Sequence, residues 1–175
     1  ADDNQLLQRL KSGQIDAIET VPAANASELD QSGTALVKSD SWAIEQIFFN
    51  TQKPEFADVH VRRAIAEALD IEGITKATTF GTARAATSLI PPSIEYSAAD
   101  AGYALKYDVA AAKKELAQSA YASGFTATLL IPSGNSSRAQ IAQIVQESLA
   151  KIGITIAIEP IDLATFRQRF RAFDY

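Results

Sequence analysis

The sequence contains no cysteine and no methionine, and it has a single histidine and a single tryptophan among 175 residues. The absence of cysteine excludes disulfide bonds, thiolate metal ligands and cysteine nucleophiles. With only His60 available as an imidazole ligand, the composition also argues against a structural zinc site, and no metal or cofactor is predicted. Because an initiator methionine is missing, we expect the chain to be a piece of a longer protein.

Long apolar runs are missing too, and basic residues are in the minority. No segment approaches the roughly 18 uncharged apolar residues that a membrane-spanning helix needs. The net charge of −5 and the pI of about 4.9 argue against nucleic acid or an anionic membrane as the main partner. A hydrophobic fraction of 47% with 21% charged residues is typical of a globular domain with a sizeable core.

Familiar catalytic motifs are absent. There is no G-x-S-x-G segment, so Ser133, Ser136 and Ser137 lack the context of a serine nucleophile. The glycine spacings of phosphate-binding and dinucleotide-binding loops are also missing. These absences favour a binding or interaction protein over an enzyme and predict no catalytic residue.

The last third of the chain predicts a strand, a helix and a second strand. "FTATLLI", which starts at Phe125, and "ITIAIE", which starts at Ile154, are rich in β-branched and apolar residues. Between them, apolar residues recur with helical spacing over 138–151, and Gly153 follows as a stop signal. Such a βαβ unit, here 125–159, normally has parallel strands and a right-handed crossover, which indicates a mixed α/β fold.

Other elements are predicted from caps and alternation. An aspartate precedes each of four further predicted helices, at Asp58, Asp70, Asp108 and Asp162. Alternating apolar residues in "QIDAIETV" and the apolar run that ends "AIEQIFFN" predict strands at 14–21 and 43–50. Residues 82–107 show little periodicity and are predicted to form a long ordered loop.

The stretch "IPSGNSSR" at 131–138 connects the first strand of the βαβ unit to its helix. Ser137 is predicted to cap the helix, with Gln140 completing a capping box, so that Arg138 begins the helix. A helix start offers unpaired N–H groups to an anion, and Arg138 adds a cation with a fork of donors. Every such connection needs a turn and a cap, however, so the local sequence alone slightly favours a plain connector. Trp42 has two open interpretations, ligand stacking and core packing.

Five segments in order resemble a known family: "LKSGQIDAIETVP", "IFFNTQKPEFADVHVRRAIAEALDIEGI", "SLIPPSIEY", "YDVAAAKKELAQSAYASGF" and "IAQIVQESLAKIGITIAIEPIDLATFRQRF". The chain resembles the extracytoplasmic solute-binding proteins of ABC importers, specifically the oligopeptide/dipeptide/nickel-binding family 5. The block from Phe49 to Asp70 is the most specific part, and the block from Tyr107 to Leu116 comes next.

The resemblance implies a type II periplasmic-binding-protein fold, in which two lobes close on a ligand. Residues 1–40 would be the end of the first lobe and the inter-lobe crossing, and residues 41–175 a second lobe that is incomplete at its C-terminus. The loop at 131–138 would face the cleft between the lobes. The candidate ligand-binding residues are accordingly Ser133, Gly134, Asn135, Arg138 and Trp42.

The implied function is to bind oligopeptide-like or dipeptide-like solutes outside the cytoplasm, in the periplasm or on the outer face of the membrane with a lipid anchor. The loaded protein would deliver its solute to the membrane permease of an ABC transporter. Metal chelates, oligosaccharides and opines stay open as ligands. The alternatives from other classes are a sensor or interaction module built on the same lobe and, less favoured, a serine-dependent hydrolase. Because the cleft face lacks its partner lobe, we also expect the isolated chain to self-associate.

Overall fold

A computed structural model describes residues 3–19, 21–26, 29, 34–39, 41–97 and 105–175. Two strands, seven α-helices and a short 3-10 helix at Ala23–Asn25 are found among these residues. The α-helices are α1 (Asp3–Lys11), α2 (Pro54–Ala57), α3 (Val59–Ala68), α4 (Ile71–Thr79), α5 (Val109–Ala117), α6 (Ser136–Ala150) and α7 (Leu163–Arg171), and the strands are β1 (Phe125–Pro132) and β2 (Ile154–Ile161).

The predicted βαβ unit is confirmed. Strands β1 and β2 are parallel, and their register runs from Phe125 opposite Ile154 to Pro132 opposite Ile161. Helix α6 connects them and packs on both strands. The loop at 133–135 therefore leaves the sheet at the carboxyl end of β1, next to the carboxyl end of β2.

A hydrophobic cluster holds α3, α5 and α6 against the sheet. Helix α3 contributes buried residues at helical spacing, among them Ala64 and Ala68, which are completely buried. The small side chains of Ala64, Ala68 and Ala112 allow α3 and α5 to pack closely, and these two helices share an extensive contact. The other buried members are Val61, Ile65, Leu69, Ile74, Leu116, Val145, Leu149, Ile152, Ile154 and Ile156.

All four predicted aspartate caps are present. The side chains of Asp58, Asp70, Asp108 and Asp162 each accept a hydrogen bond from a backbone N–H in the first turn of the helix that follows. The carboxylate of Asp162 also accepts a hydrogen bond from the hydroxyl of Thr165, and this bond lowers the pKa of Asp162 most, ahead of the backbone donors. The short polar side chain is therefore a dependable signal for where these helices begin.

Both predicted N-terminal strands are wrong. Residues 14–19 and 21 form bends and coil, and residues 41–50 form an extended segment without a ladder partner among the described residues. The aromatic side chains of this segment pack instead: Phe49 lies 5.6 Å from Phe56 and Phe48 lies 5.0 Å from Phe170, between ring centroids. The predicted long loop is confirmed for 82–97 and 105–107, which contain neither helix nor strand.

The side chain of Asn50 joins the extended segment to the C-terminal residues. Its Nδ2 donates to the carbonyl oxygens of Phe173 at 2.7 Å and Tyr175 at 3.2 Å, and its Oδ1 accepts from the backbone N–H of Gln52 at 3.1 Å. Asn50 is only 4% exposed, so water does not readily replace these bonds.

We expect Asn50→Ala to lower the free energy of unfolding by about 1–2 kcal/mol, because it removes the hydrogen bonds of a buried side chain to the backbone of Gln52, Phe173 and Tyr175. Urea denaturation followed by circular dichroism measures the change. Gln52→Ala is the control: its backbone N–H is retained and its side chain is exposed, so a change within about 0.5 kcal/mol is expected. Equal effects of the two substitutions would contradict this role of Asn50.

Candidate functional site

The loop at 133–135 is fixed at both ends. At its start, the backbone N–H of Ser133 donates to the carbonyl of Ile161 at 2.7 Å and extends the parallel ladder beyond β1. At its end, Oδ1 of Asn135 accepts from the backbone N–H of Arg138 at 2.8 Å. Asn135 therefore caps α6, which begins at Ser136. The prediction that Ser137 is the cap is wrong, because Asn135 already has the extended backbone of a cap residue two positions earlier.

The polar atoms of this loop are accessible. Ser133, Gly134 and Asn135 are all exposed, and so are the two serines of the first helical turn, Ser136 and Ser137. Gly134 adopts a φ of +86°, a backbone conformation that glycine tolerates without strain. The loop thus presents hydroxyl and backbone groups between the end of β1 and the start of α6.

Arg138 does not stand alone. Its Nε donates to both carboxylate oxygens of Glu45 at 3.1 Å, and its Nη2 donates to Oε1 of Glu45 at 2.7 Å. The Arg138 side chain is 37% exposed and that of Glu45 is 61% exposed. These hydrogen bonds raise the pKa of Arg138, against the opposing effect of burial. The cation predicted from the sequence is thus present at the loop, but it already forms an ion pair with the carboxylate of Glu45.

Trp42 lies on the same extended segment as Glu45, three residues earlier in the sequence. It is 76% exposed, so core packing, one of the two interpretations of this residue, does not apply. The ion pair between Glu45 and Arg138 attaches the segment to the first turn of α6. It brings one part of the extended segment to the loop, and the segment also carries the exposed indole.

Sequence reasoning missed Glu45. The residue is 93 positions from Arg138, and its segment was predicted as a buried strand. Only the contact in three dimensions identifies it. Trp42 is also far from the loop in sequence. The remaining candidates, Ser133, Gly134, Asn135 and Arg138, lie within six consecutive residues, so the loop necessarily brings them together.

The described residues around the loop lack the arrangement of a reaction centre. The single histidine, His60, pairs through Nδ1 with Oε2 of Glu115 at 2.8 Å and links α3 to α5. No group of three or more potential metal ligands occurs in the described part of the chain. The hydroxyls, the ion pair and the indole are groups that can form hydrogen bonds and stacking contacts.

The loop lies on an open face. The apolar cavity in the interior is bounded by Phe49, Leu129, Val145 and Ile156 and has a volume of about 50 Å³, which is too small for a peptide. Ligand pockets for small molecules usually reach several hundred Å³ (roughly 300–1,000). A second, open concavity of about 400 Å³ lies beside Glu72, Lys76 and Arg84, and the loop borders neither space. Around the loop, the described residues therefore form at most one wall of a ligand site.

Comparison with known proteins identifies the family. The family model for bacterial extracellular solute-binding proteins, family 5 Middle, matches residues 1–175. The glutathione-binding protein GsiB of Salmonella choleraesuis is 32% identical over 163 residues, which is 92% of this chain and 31% of that protein. GsiB of Escherichia coli K12 is 30% identical over 164 residues, with 93% of this chain and 31% of that protein covered. The chain thus spans about a third of the length of these relatives.

Solved structures show the same fold. AgaA from A. tumefaciens R10, in complex with agropinic acid, superposes with a TM-score of 0.85 at 32% identity, covering 99% of this chain and 36% of that one. DppA from Helicobacter pylori, in complex with the peptide STSA, gives 0.83 at 27% identity, covering 96% and 32%. AppA from Bacillus subtilis, in complex with a nonapeptide, gives 0.84 at 26% identity, covering 96% and 36%.

These findings confirm the resemblance and the mixed α/β, type II binding-protein fold. The relatives and structures compared above are named as binding proteins, in agreement with the prediction that the chain is not an enzyme. Among the described helices, none has the length and apolar character needed to cross a membrane. This chain belongs to family 5 of the bacterial extracellular solute-binding proteins.

Proposed function

We propose that the chain supplies one wall of the solute site in the binding protein of an ABC importer, and that the solute is an oligopeptide or a related small molecule. One observation carries this proposal: the exposed loop at 133–135 is held at the carboxyl end of β1 beside the Arg138–Glu45 pair. Ligands of open α/β folds bind outside the carboxyl ends of the strands. Relatives named for glutathione, peptides and agropinic acid support the choice of solute class.

The chemistry of the wall suits a peptide. Exposed hydroxyls of Ser133, Ser136 and Ser137 can donate to peptide carbonyls or accept from peptide N–H groups. The exposed indole of Trp42 offers a flat apolar face for a side chain of the ligand. Both features tolerate variation in the ligand, because the hydroxyls address the peptide backbone and the indole needs only an apolar partner.

The proposed mechanism is lobe closure. In this proposal residues 41–175 belong to one lobe, and residues 1–40 finish the other lobe and cross between them. A ligand that touches both lobes binds the closed form better than the open form, so it shifts the population toward closure. The closed protein would then deliver its solute to a membrane permease on the extracytoplasmic side.

Titration calorimetry on the full-length protein that contains this chain tests the proposal. We expect trialanine, a tetrapeptide or glutathione to bind with a Kd in the micromolar range or below, and Trp42→Ala to weaken binding about tenfold or more, as for an aromatic side chain that becomes buried on binding. Tyr96→Ala is the control, because Tyr96 is a highly exposed aromatic residue of the long loop, and no change is expected.

The isolated 175-residue chain provides a second arm of this test. Because it supplies only part of the contacts, we expect it to bind the same ligands about 100-fold more weakly or worse. Binding of the isolated chain as tight as that of the full-length protein would contradict a site shared between two lobes. Absence of binding by the full-length protein to all three ligand types would contradict the peptide-like solute class.

A further inference from the structure

The guanidinium of Arg138 is already occupied on one edge. Its Nε and Nη2 both donate to Glu45, which is the side-on bidentate arrangement in which arginine receives a carboxylate. Arg138 is also the only cation of the stretch 131–138. Glu45 therefore stands where a ligand carboxylate would bind if the loop recognised one.

We propose that Glu45 is a specificity-determining residue of this site, which holds the carboxylate-binding edge of Arg138 and disfavours ligands that bring a carboxylate to this wall. The inference rests on the proposed function, since it requires that the loop contact a solute. According to this inference, this wall of the site prefers neutral ligand groups, such as an amide or a hydroxyl, although it contains the basic side chain of Arg138.

Two physical effects produce the preference. A ligand carboxylate must displace Glu45 from Arg138 to gain the same hydrogen bonds, so it gains little from the exchange. If Glu45 stays in place, the ligand carboxylate lies close to another negative charge and is repelled. Both partners are partly exposed, and pairs of this kind are weak and screened by salt, so the discrimination should be modest.

A purely structural role for Glu45 makes a different prediction. If the ion pair only attached the extended segment to α6, removing the charge of Glu45 would change the affinity for acidic and neutral ligands by the same factor. A selective role changes the ratio of the two affinities. The ratio therefore separates the two interpretations, whatever happens to the absolute affinity.

The experiment measures binding of trialanine and trialanine amide to the full-length protein that contains this chain, by calorimetry at low ionic strength. Glu45→Gln removes the charge and keeps an oxygen that can accept from Arg138. We expect it to raise the affinity for the acid relative to the amide by about fivefold, the upper range for an exposed ion pair. High salt should reduce the difference.

Glu147→Gln is the matched control. Glu147 is exposed on α6, nine residues beyond Arg138, which is about 14 Å along the helix axis. The Glu147→Gln substitution makes the same change in net charge as Glu45→Gln, and we expect it to leave the ratio of the affinities for the acid and the amide unchanged. In the Arg138→Gln background, Glu45→Gln should improve binding of the acid less than it does in the wild-type background, because only the repulsion is relieved and the cation that it frees is absent.

The outcomes are distinguishable. If both peptides bind the wild-type protein and Glu45→Gln changes their affinity ratio by less than twofold, the specificity role of Glu45 is overturned while the proposed function stands. If neither peptide nor glutathione binds, the proposed function fails and the inference fails with it. Circular dichroism checks that Glu45→Gln is folded, and Glu45→Ala provides a second variant that must shift the ratio in the same direction.

Discussion

Replacing Gly124 with alanine is expected to lower the free energy of unfolding by about 4 kcal/mol, as the sum of backbone strain and overpacking. Gly124 has a φ of +82°, and a Cβ built on it would lie 2.0 Å from the carbonyl oxygen of Gly153. Gly124 and Gly153 precede β1 and β2, so this close backbone approach lies where the two parallel strands begin. Chemical denaturation measures the loss.

Gly153→Ala is the matched comparison. Its φ of +89° is equally unfavourable for alanine, but the nearest atom to its Cβ would be the Cα of Gly124 at 3.8 Å, an ordinary contact. We expect only the conformational cost, about 1–2 kcal/mol. If the two substitutions destabilised the protein equally, the close approach at Gly124 would not matter energetically.

Replacing Ile154 with alanine is expected to lower the free energy of unfolding by about 3–4 kcal/mol, within the range for large-to-small changes in a core. Ile154 is completely buried at the start of β2 and belongs to the cluster shared by α3, α5 and α6. The loss combines the transfer of apolar surface and the cavity left behind. Urea denaturation gives the value, with an unchanged m-value indicating that the unfolding transition is of the same kind.

Two control substitutions give reference values for the destabilisation by Ile154→Ala. Ile154→Val removes a single methylene and should cost about 0.5–1.5 kcal/mol. Thr155→Ala changes the next residue of β2, whose side chain is exposed, and should stay within about 0.5 kcal/mol. A cost of Ile154→Ala no greater than that of Thr155→Ala would contradict the assignment of Ile154 to the core.

The parts of the fold that could be predicted from sequence are those with local causes. The caps at Asp58, Asp70, Asp108 and Asp162 depend on a side chain and the backbone a few residues ahead. The βαβ unit depends on two apolar runs and one helical stripe that are consecutive in the chain. In both cases, the sequence pattern and the interaction that it reports occupy the same short segment.

The failures have a common cause as well. An alternating or apolar run predicts a strand, but the strand forms only where a neighbouring strand can pair with it. No such neighbour exists for 14–19 or 41–50 among the described residues. The pairing of Glu45 with Arg138 and the clamp of Asn50 on Tyr175 join residues that are far apart in sequence. Nothing in the local pattern around either residue encodes such a partner.

The candidate site also contains residues with local sequence signals and residues without them. Ser133, Gly134, Asn135 and Arg138 follow from the position of a loop between a strand and a helix, so the sequence could propose them together. The capping residue within that loop was misplaced because three adjacent small polar residues can each serve as a cap. Glu45, the hydrogen-bond partner of Arg138, could be identified only from the structure.

The long sequence separation of the Glu45–Arg138 pair has a consequence for the order in which contacts form during folding. Its two ends are 93 residues apart, whereas β1 and β2 pair across a single helix. Because the entropy lost on closing a chain segment grows with the logarithm of its length, joining the extended segment to α6 costs about 1 kcal/mol more than pairing the strands. An exposed ion pair offsets little of that cost. The contact between the extended segment and α6 is consequently among the last to form and among the first to come apart in thermal fluctuations.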